Sequence, residues 1–209
     1  MKVLKLFVSL SVALSLSSCM SIMQSIIGIK DPKRLTDKEI TKCSKAFDIP
    51  QNYNYRLDTS YLDFILKLDT TQFKAQRKNH VQPLQALYFN SQGDLVKFYI
   101  NCYAGGFPNL KWNRDGMLDT FLPKDQAPID TVLNLKRQLS YLKPVCESTN
   151  EFVEKDFDYC VVVYWNKSTK RHSKRLIKSI KYNLGKATTE KVKILYANYD
   201  NVFYKLENK

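Results

Sequence analysis

The run Tyr159-Cys160-Val161-Val162-Val163-Tyr164-Trp165 is β-branched or aromatic at almost every position. Continuous apolarity of this kind marks a strand covered on both faces. Val192-Lys193-Ile194-Leu195-Tyr196 reads as a second strand. Between them, Ser173 to Leu184 sets Leu176, Ile177, Ile180 and Leu184 on one helical face. Gly185 is placed to end that helix. Strand, helix and strand at this spacing predict a βαβ unit with a right-handed crossover.

Working outward, Leu84 to Phe89, the turn Asn90 to Asp94, and the alternation of Val96, Phe98, Ile100 and Cys102 with polar or aromatic neighbours predict a hairpin. Asn109 to Trp112, the turn Asn113-Arg114-Asp115-Gly116, and Met117 to Phe121 predict a second. Helices are expected after the capping-box pattern Thr36-Asp37-Lys38-Glu39, over Ser60 to Gln82 with a break at Asp69-Thr70-Thr71, and from Pro128 to Pro144. Glu147 to Asp158 reads as an acidic loop. The fold class is therefore α+β: an antiparallel β-meander plus a C-terminal βαβ unit, with helices packed on the sheet.

The chain has 209 residues, 44% of them hydrophobic, with only 6 Gly and 7 Pro. That composition excludes disorder and low-complexity repeats. With 33 Lys+Arg against 20 Asp+Glu, the net charge is +13. A balance this basic points to an anionic partner.

At the N-terminus, Lys2 and Lys5 precede the apolar run Leu6 to Leu16. A short basic start before such a run is a secretory signal, too short to span a bilayer. Leu16-Ser17-Ser18-Cys19 resembles the lipobox of bacterial lipoproteins, in which two small residues precede an acylated cysteine. The resemblance implies a signal peptide over residues 1–18, Cys19 as the lipidated first residue, a tether over 19–34 and a single α+β domain over 35–209. It places the chain in the cell envelope, anchored to the membrane by its lipid. Met20, with no acidic residue beside it, favours the outer membrane facing the periplasm. Export excludes nucleic acid as the partner.

The segment from Tyr159 to Asp200 is similar to part of a thioredoxin-like domain, where an apolar strand ends in an aromatic-Trp pair and the following strand ends near an Asp. The redox cysteines of that family would fall near Thr169 and His172, and neither is cysteine. No proline follows Pro144 to serve as the family's late cis-proline. The resemblance implies a degenerate or permuted thioredoxin-like arrangement with no thiolate nucleophile.

With Cys19 acylated, Cys43, Cys102, Cys146 and Cys160 remain, enough for two disulfides in an oxidising compartment. Cys146 and Cys160 flank the acidic loop and are the simplest pair; Cys102 and Cys160 also suit buried, unpaired positions in strands. No zinc-ligand spacing, hydrolase elbow or phosphate-binding glycine loop occurs. His80 reads as exposed and His172 lies in a run of cations. No cofactor, metal or catalytic residue is assigned, and the chain reads as a non-enzyme.

That run extends from Lys167 to Lys186 and holds eight Lys or Arg with no acid. Its candidate anion-binding face comprises Lys170, Arg171, Lys174, Arg175, Lys178 and Lys181. It is either the solvated side of a helix that covers the sheet or a docking surface for an anionic lipid, an acidic glycan or an envelope protein. Tyr103, Phe107 and Trp112, beside Gly105-Gly106, are a second candidate surface, against which stands packing under a loop. The expected role is a non-catalytic binding or structural module. A redox-active thioredoxin-like protein and a lipoprotein inhibitor or immunity factor are the alternatives.

Overall fold

A computed structural model describes residues 28–147, 149 and 157–209. The signal segment, Cys19 and the tether up to residue 27 lie outside the described residues, as does most of the acidic stretch between Glu147 and Phe157.

In chain order the elements are α1 (Asp37–Lys45), β1 (Asn54–Leu57), α2 (Ser60–Lys67), α3 (Lys74–His80), β2 (Gln85–Asn90), β3 (Leu95–Ile100), the short α4 (Asn101–Ala104), α5 (Leu135–Ser140), β4 (Leu142–Pro144), β5 (Tyr159–Trp165), α6 (Lys170–Leu184), β6 (Val192–Asn198) and α7 (Asp200–Glu207). The six strands form one mixed sheet in the order β3-β2-β5-β6-β1-β4. The central strands β5, β6 and β1 are parallel; the hairpin β2–β3 and the short β4 flank them antiparallel. The fold is α+β with helices on the sheet.

β5 shows why its sequence lacks alternation. Cys160, Val162 and Tyr164 point into one core with α2, α5 and α7, where Tyr61, Ile65, Leu135 and Val202 sit. Val161, Val163 and Trp165 point into the opposite core with α1 and α6, where Ile40, Leu176, Ile177 and Ile180 sit. Each such fully buried apolar side chain contributes about 1.5–3 kcal/mol. α6 crosses from β5 to the adjacent β6, completing the βαβ unit.

Three local expectations are corrected. The second hairpin over 109–121 does not form; only a 3₁₀ turn over Arg114–Gly116 appears there. Asn113 explains it: its Oδ1 accepts from Leu118 N at 2.7 Å and its Nδ2 donates to Asp119 at 2.8 Å. Such local bonds compete with a strand ladder. The helix expected from Pro128 starts only at Leu135, because Asp130 holds an Asx turn onto Val132 N and Asn134 caps the helix through Arg137 N. Leu142, expected on that helix, begins β4. His80, read as exposed, is fully buried: its ring stacks on Phe98 at 4.9 Å, and both carboxylate oxygens of Asp130 lie 3.1 Å from its Nε2.

Candidate functional site

α6 is amphipathic in the way its spacing requires. His172, Ser173, Leu176, Ile177, Ile180 and Asn183 are buried. Lys170, Arg171, Lys174, Lys178 and Lys181 are exposed, and Arg175 is half-buried. The six cations of the predicted face thus share the outer side of one helix. Some have local partners: Arg175 donates to Asn109 Oδ1 at 2.9 Å, and Lys181 Nζ to Asp48 O at 2.7 Å. Lys170, Lys174 and Lys178 have no carboxylate partner among the described residues. They stand at i, i+4 spacing, so like charges repel along the face. No acid lies in the first turn, and the helix macrodipole adds its own positive end there.

The backbone amides before α6 are already occupied by an internal carboxyl group. Asp200, at the start of α7 and almost fully buried, accepts from the N–H of Lys167 at 2.8 Å and of Ser168 at 3.3 Å. Asn198 Nδ2 donates to it at 2.7 Å. Burial pushes the Asp200 carboxyl above the usual carboxylate range, against the lowering effect of those bonds. Asn166 reinforces the loop, accepting from Thr169 N and Oγ1 and donating to Pro83 O. The anion-attracting feature of this end is therefore a surface of side chains and not a loop of free amides.

Beside the first turn of α6 lies a cavity of about 270 Å³, lined mainly by Pro83, Leu84, Leu110, Phe107, Thr169 and His172, with Ile29 and Cys102 at its wall. It opens at the carboxyl ends of the parallel strands, the end where open α/β sheets place ligand crevices. The positions that the thioredoxin resemblance reserves for redox cysteines, Thr169 and His172, face it as buried side chains. Of the second candidate surface, Trp112 is buried in the core beneath its loop, whereas Phe107 is 66% and Tyr103 41% exposed. A larger cleft of about 630 Å³ lies beyond β1 and beside α7, between Arg34, Arg56, Lys205 and Lys209. Arg56 and Lys205 are paired there with Asp37 and Asp63.

Among the described residues no disulfide joins Cys43, Cys102, Cys146 and Cys160. The pairing of Cys146 with Cys160 is opposed by geometry. Cys160 lies in the α2-side core and Cys146 packs against the α6-side core. They also belong to opposite parts of the sheet, β5 being three positions from β4. Cys102, read as part of a strand, sits exposed in α4. Burial pushes the Cys160 thiol up to about 12 and raises Cys43 and Cys102 as well. A nucleophilic cysteine needs the opposite shift. Sequence reasoning missed the His80–Asp130 pair, because the two residues lie fifty positions apart and meet only when the loop before α5 folds over β3. It also missed Asp200 as the organiser of the β5–α6 loop, although that Asp follows a strand in the thioredoxin-like pattern.

No group of His, Cys, Asp or Glu among the described residues is arranged to hold a metal ion, and no described helix is long and apolar enough to cross a membrane. No protein-family profile, curated protein or solved structure matches this chain.

Proposed function

We propose that the chain is a lipid-anchored cell-envelope protein, held through Cys19, that works as a non-catalytic binding module and takes an anionic envelope component on the outer face of α6. The observation that carries this is the row Lys170, Lys174 and Lys178, exposed and without a carboxylate partner among the described residues. The raised thiols favour binding over redox chemistry.

Two measurements test it. Radiolabelled lipid should be incorporated into the wild type and lost in Cys19→Ala. Purified Cys19→Ala chain should bind anionic vesicles, lipopolysaccharide or acidic glycan in a salt-dependent way, and Lys170→Glu/Lys174→Glu/Lys178→Glu should abolish it. Equal binding by both chains would overturn the basic-face reading.

A further inference from the structure

The cations of α6 do not stand alone; the chain's route to its anchor reaches the same end of the molecule. Ile29 lines the cavity beside the first turn of α6. Lys30 N donates to Ser168 O in the β5–α6 loop at 2.8 Å. Gly28 lies against the Arg171 guanidinium, whose Nε would be 3.4 Å from a Cβ at that position. Nine residues lead from Cys19 to Gly28, a reach of at most about 30 Å. An anchor at Cys19 thus keeps this end of the domain within about 30 Å of the bilayer, near enough to reach it. The far end of α6, at Leu184, is about 20 Å further along the helix axis.

The same end carries the most exposed large hydrophobic side chain of the described residues, Phe107, with Tyr103 nearby in sequence. Phe107 sits on the loop that begins Gly105-Gly106, both glycines having positive φ. A Cβ at Gly106 would lie 2.8 Å from Lys111 Cγ and 3.1 Å from Asn109 O, so this tight loop requires glycine. The loop is fastened to α6 by the Arg175–Asn109 bond. Around it, Lys30, Lys111, Lys167 and Lys170 are exposed. A protruding aromatic with exposed cations on neighbouring segments is the combination that interfacial membrane binding uses.

We propose that this end of the domain docks directly on an anionic phospholipid bilayer, with Phe107 entering the interface and Lys111, Lys167 and Lys170 facing lipid phosphates. The membrane that holds the anchor is then also the partner of the protein's basic surface. This rests on the reading of α6 as an anion-binding face and adds to it a position: the strand-carboxyl end docks, and the far half of the helix does not. Electrostatic attraction to the surface fades within a Debye length of about 8–10 Å. In the docked orientation proposed, α6 stands upright on the bilayer, which puts Lys178 and Lys181 about 12–16 Å beyond Lys170 along the helix axis and outside that range.

The test uses the Cys19→Ala chain, which carries no acyl group, and vesicles of phosphatidylglycerol with phosphatidylcholine, against phosphatidylcholine alone. The expected result is sedimentation with the anionic vesicles only. Lys111→Gln/Lys170→Gln should weaken partitioning about 25-fold, at about fivefold for each cation. Phe107→Ser should weaken it at least several-fold, and being an exposed-site change it should leave the circular dichroism spectrum unaltered. Phe107→Trp should show a blue-shifted emission on binding. Lys178→Gln/Lys181→Gln should change partitioning less than twofold. If that last pair costs as much as the first, or if Phe107→Ser costs nothing, the docking end is overturned while the anion-binding face stands. If the Cys19→Ala chain binds lipopolysaccharide or acidic glycan but no vesicle, the bilayer is overturned as partner. If it binds none of these anions, both readings fall together.

Discussion

Removing the Asp200 carboxylate tests whether one buried side chain organises the end of the sheet where α6 begins. Asp200→Ala would leave the N–H groups of Lys167 and Ser168 and the Asn198 amide without their acceptor, together with the Ser168 hydroxyl, which can rotate to another. Ser168 and Asn198 are buried, whereas Lys167 is exposed and its amide can recruit water. Two stranded buried donors at about 1–3 kcal/mol each give a loss of about 4 kcal/mol. Release of a desolvated carboxylate offsets about 1 kcal/mol of this, leaving about 3 kcal/mol. That is a large part of the 5–15 kcal/mol that holds a typical domain together. Urea denaturation with an unchanged m-value would measure it. Asp200→Asn keeps an acceptor oxygen and should cost about 1–2 kcal/mol. The sign with pH is also determined. The folded-state pKa is raised above the unfolded value of about 3.9. Ionisation therefore costs stability as pH rises through the window between these values. The advantage of wild type over Asp200→Asn should accordingly be larger below that window than at pH 7. A loss under 1 kcal/mol for Asp200→Ala would refute the organising role, and an advantage that grows with pH would refute the dominance of desolvation.

Breaking the buried pair through His80→Ala and Asp130→Ala, singly and together, should give a coupling energy of about 1–3 kcal/mol by thermal or urea unfolding; a value near zero would mean that the 3.1 Å contact contributes nothing. Thr36→Ala removes the acceptor for Glu39 N and half of the capping box of α1, at an expected cost of about 1 kcal/mol in the same assay. Thiol labelling of the native chain should modify the exposed Cys102 first and leave Cys160 intact until unfolding, so rapid loss of the Cys160 thiol would contradict its complete burial. Lys174→Glu turns repulsion with Lys170, Arg171 and Lys178 into attraction and should stabilise the fold by about 1 kcal/mol, a rise of about 2–4 °C in thermal midpoint.

What was legible in the sequence follows from how much of the stabilising contact is local. β5 announces itself because both of its faces are buried, and α6 because its apolar residues repeat at helical spacing. The capping box at Thr36 is a four-residue pattern and forms as read. β1, by contrast, is the four-residue run Asn54-Tyr55-Arg56-Leu57, and only its pairing with β6 and β4 makes it a strand. α7 is short and its pattern is diluted by Asn201 and Lys205. The loop from Asn109 to Leu122 has the composition of a hairpin, but side-chain bonds from Asn113 win. At the site, the cations of α6 were legible as a face because a helix turns spacing into geometry. The cavity at its first turn was not, since Pro83, Leu110 and Ile29 come from three distant segments.

The arrangement of charge around α6 runs against what the fold alone would select. Its contact with the sheet is made by Leu176, Ile177 and Ile180, to which Lys181 adds its Nζ 6.0 Å from the Tyr196 ring, while Lys170, Lys174 and Lys178 lie on the exposed side of the helix. A helix N-terminus is stabilised by acids and here has Lys170 and Arg171. Asp200, a carboxylate close to that end, is buried and directed at the loop amides. The exposed cations Lys170 and Lys174 stand at this end, on the side where residues 28–30 leave the domain toward Cys19. If Lys174→Glu stabilises the chain while weakening its hold on anionic vesicles, stability and binding will have been shown to pull on the same residue in opposite directions. That opposition is what separates a functional surface from a merely solvated helix face: a solvated face loses nothing when its repulsion is relieved.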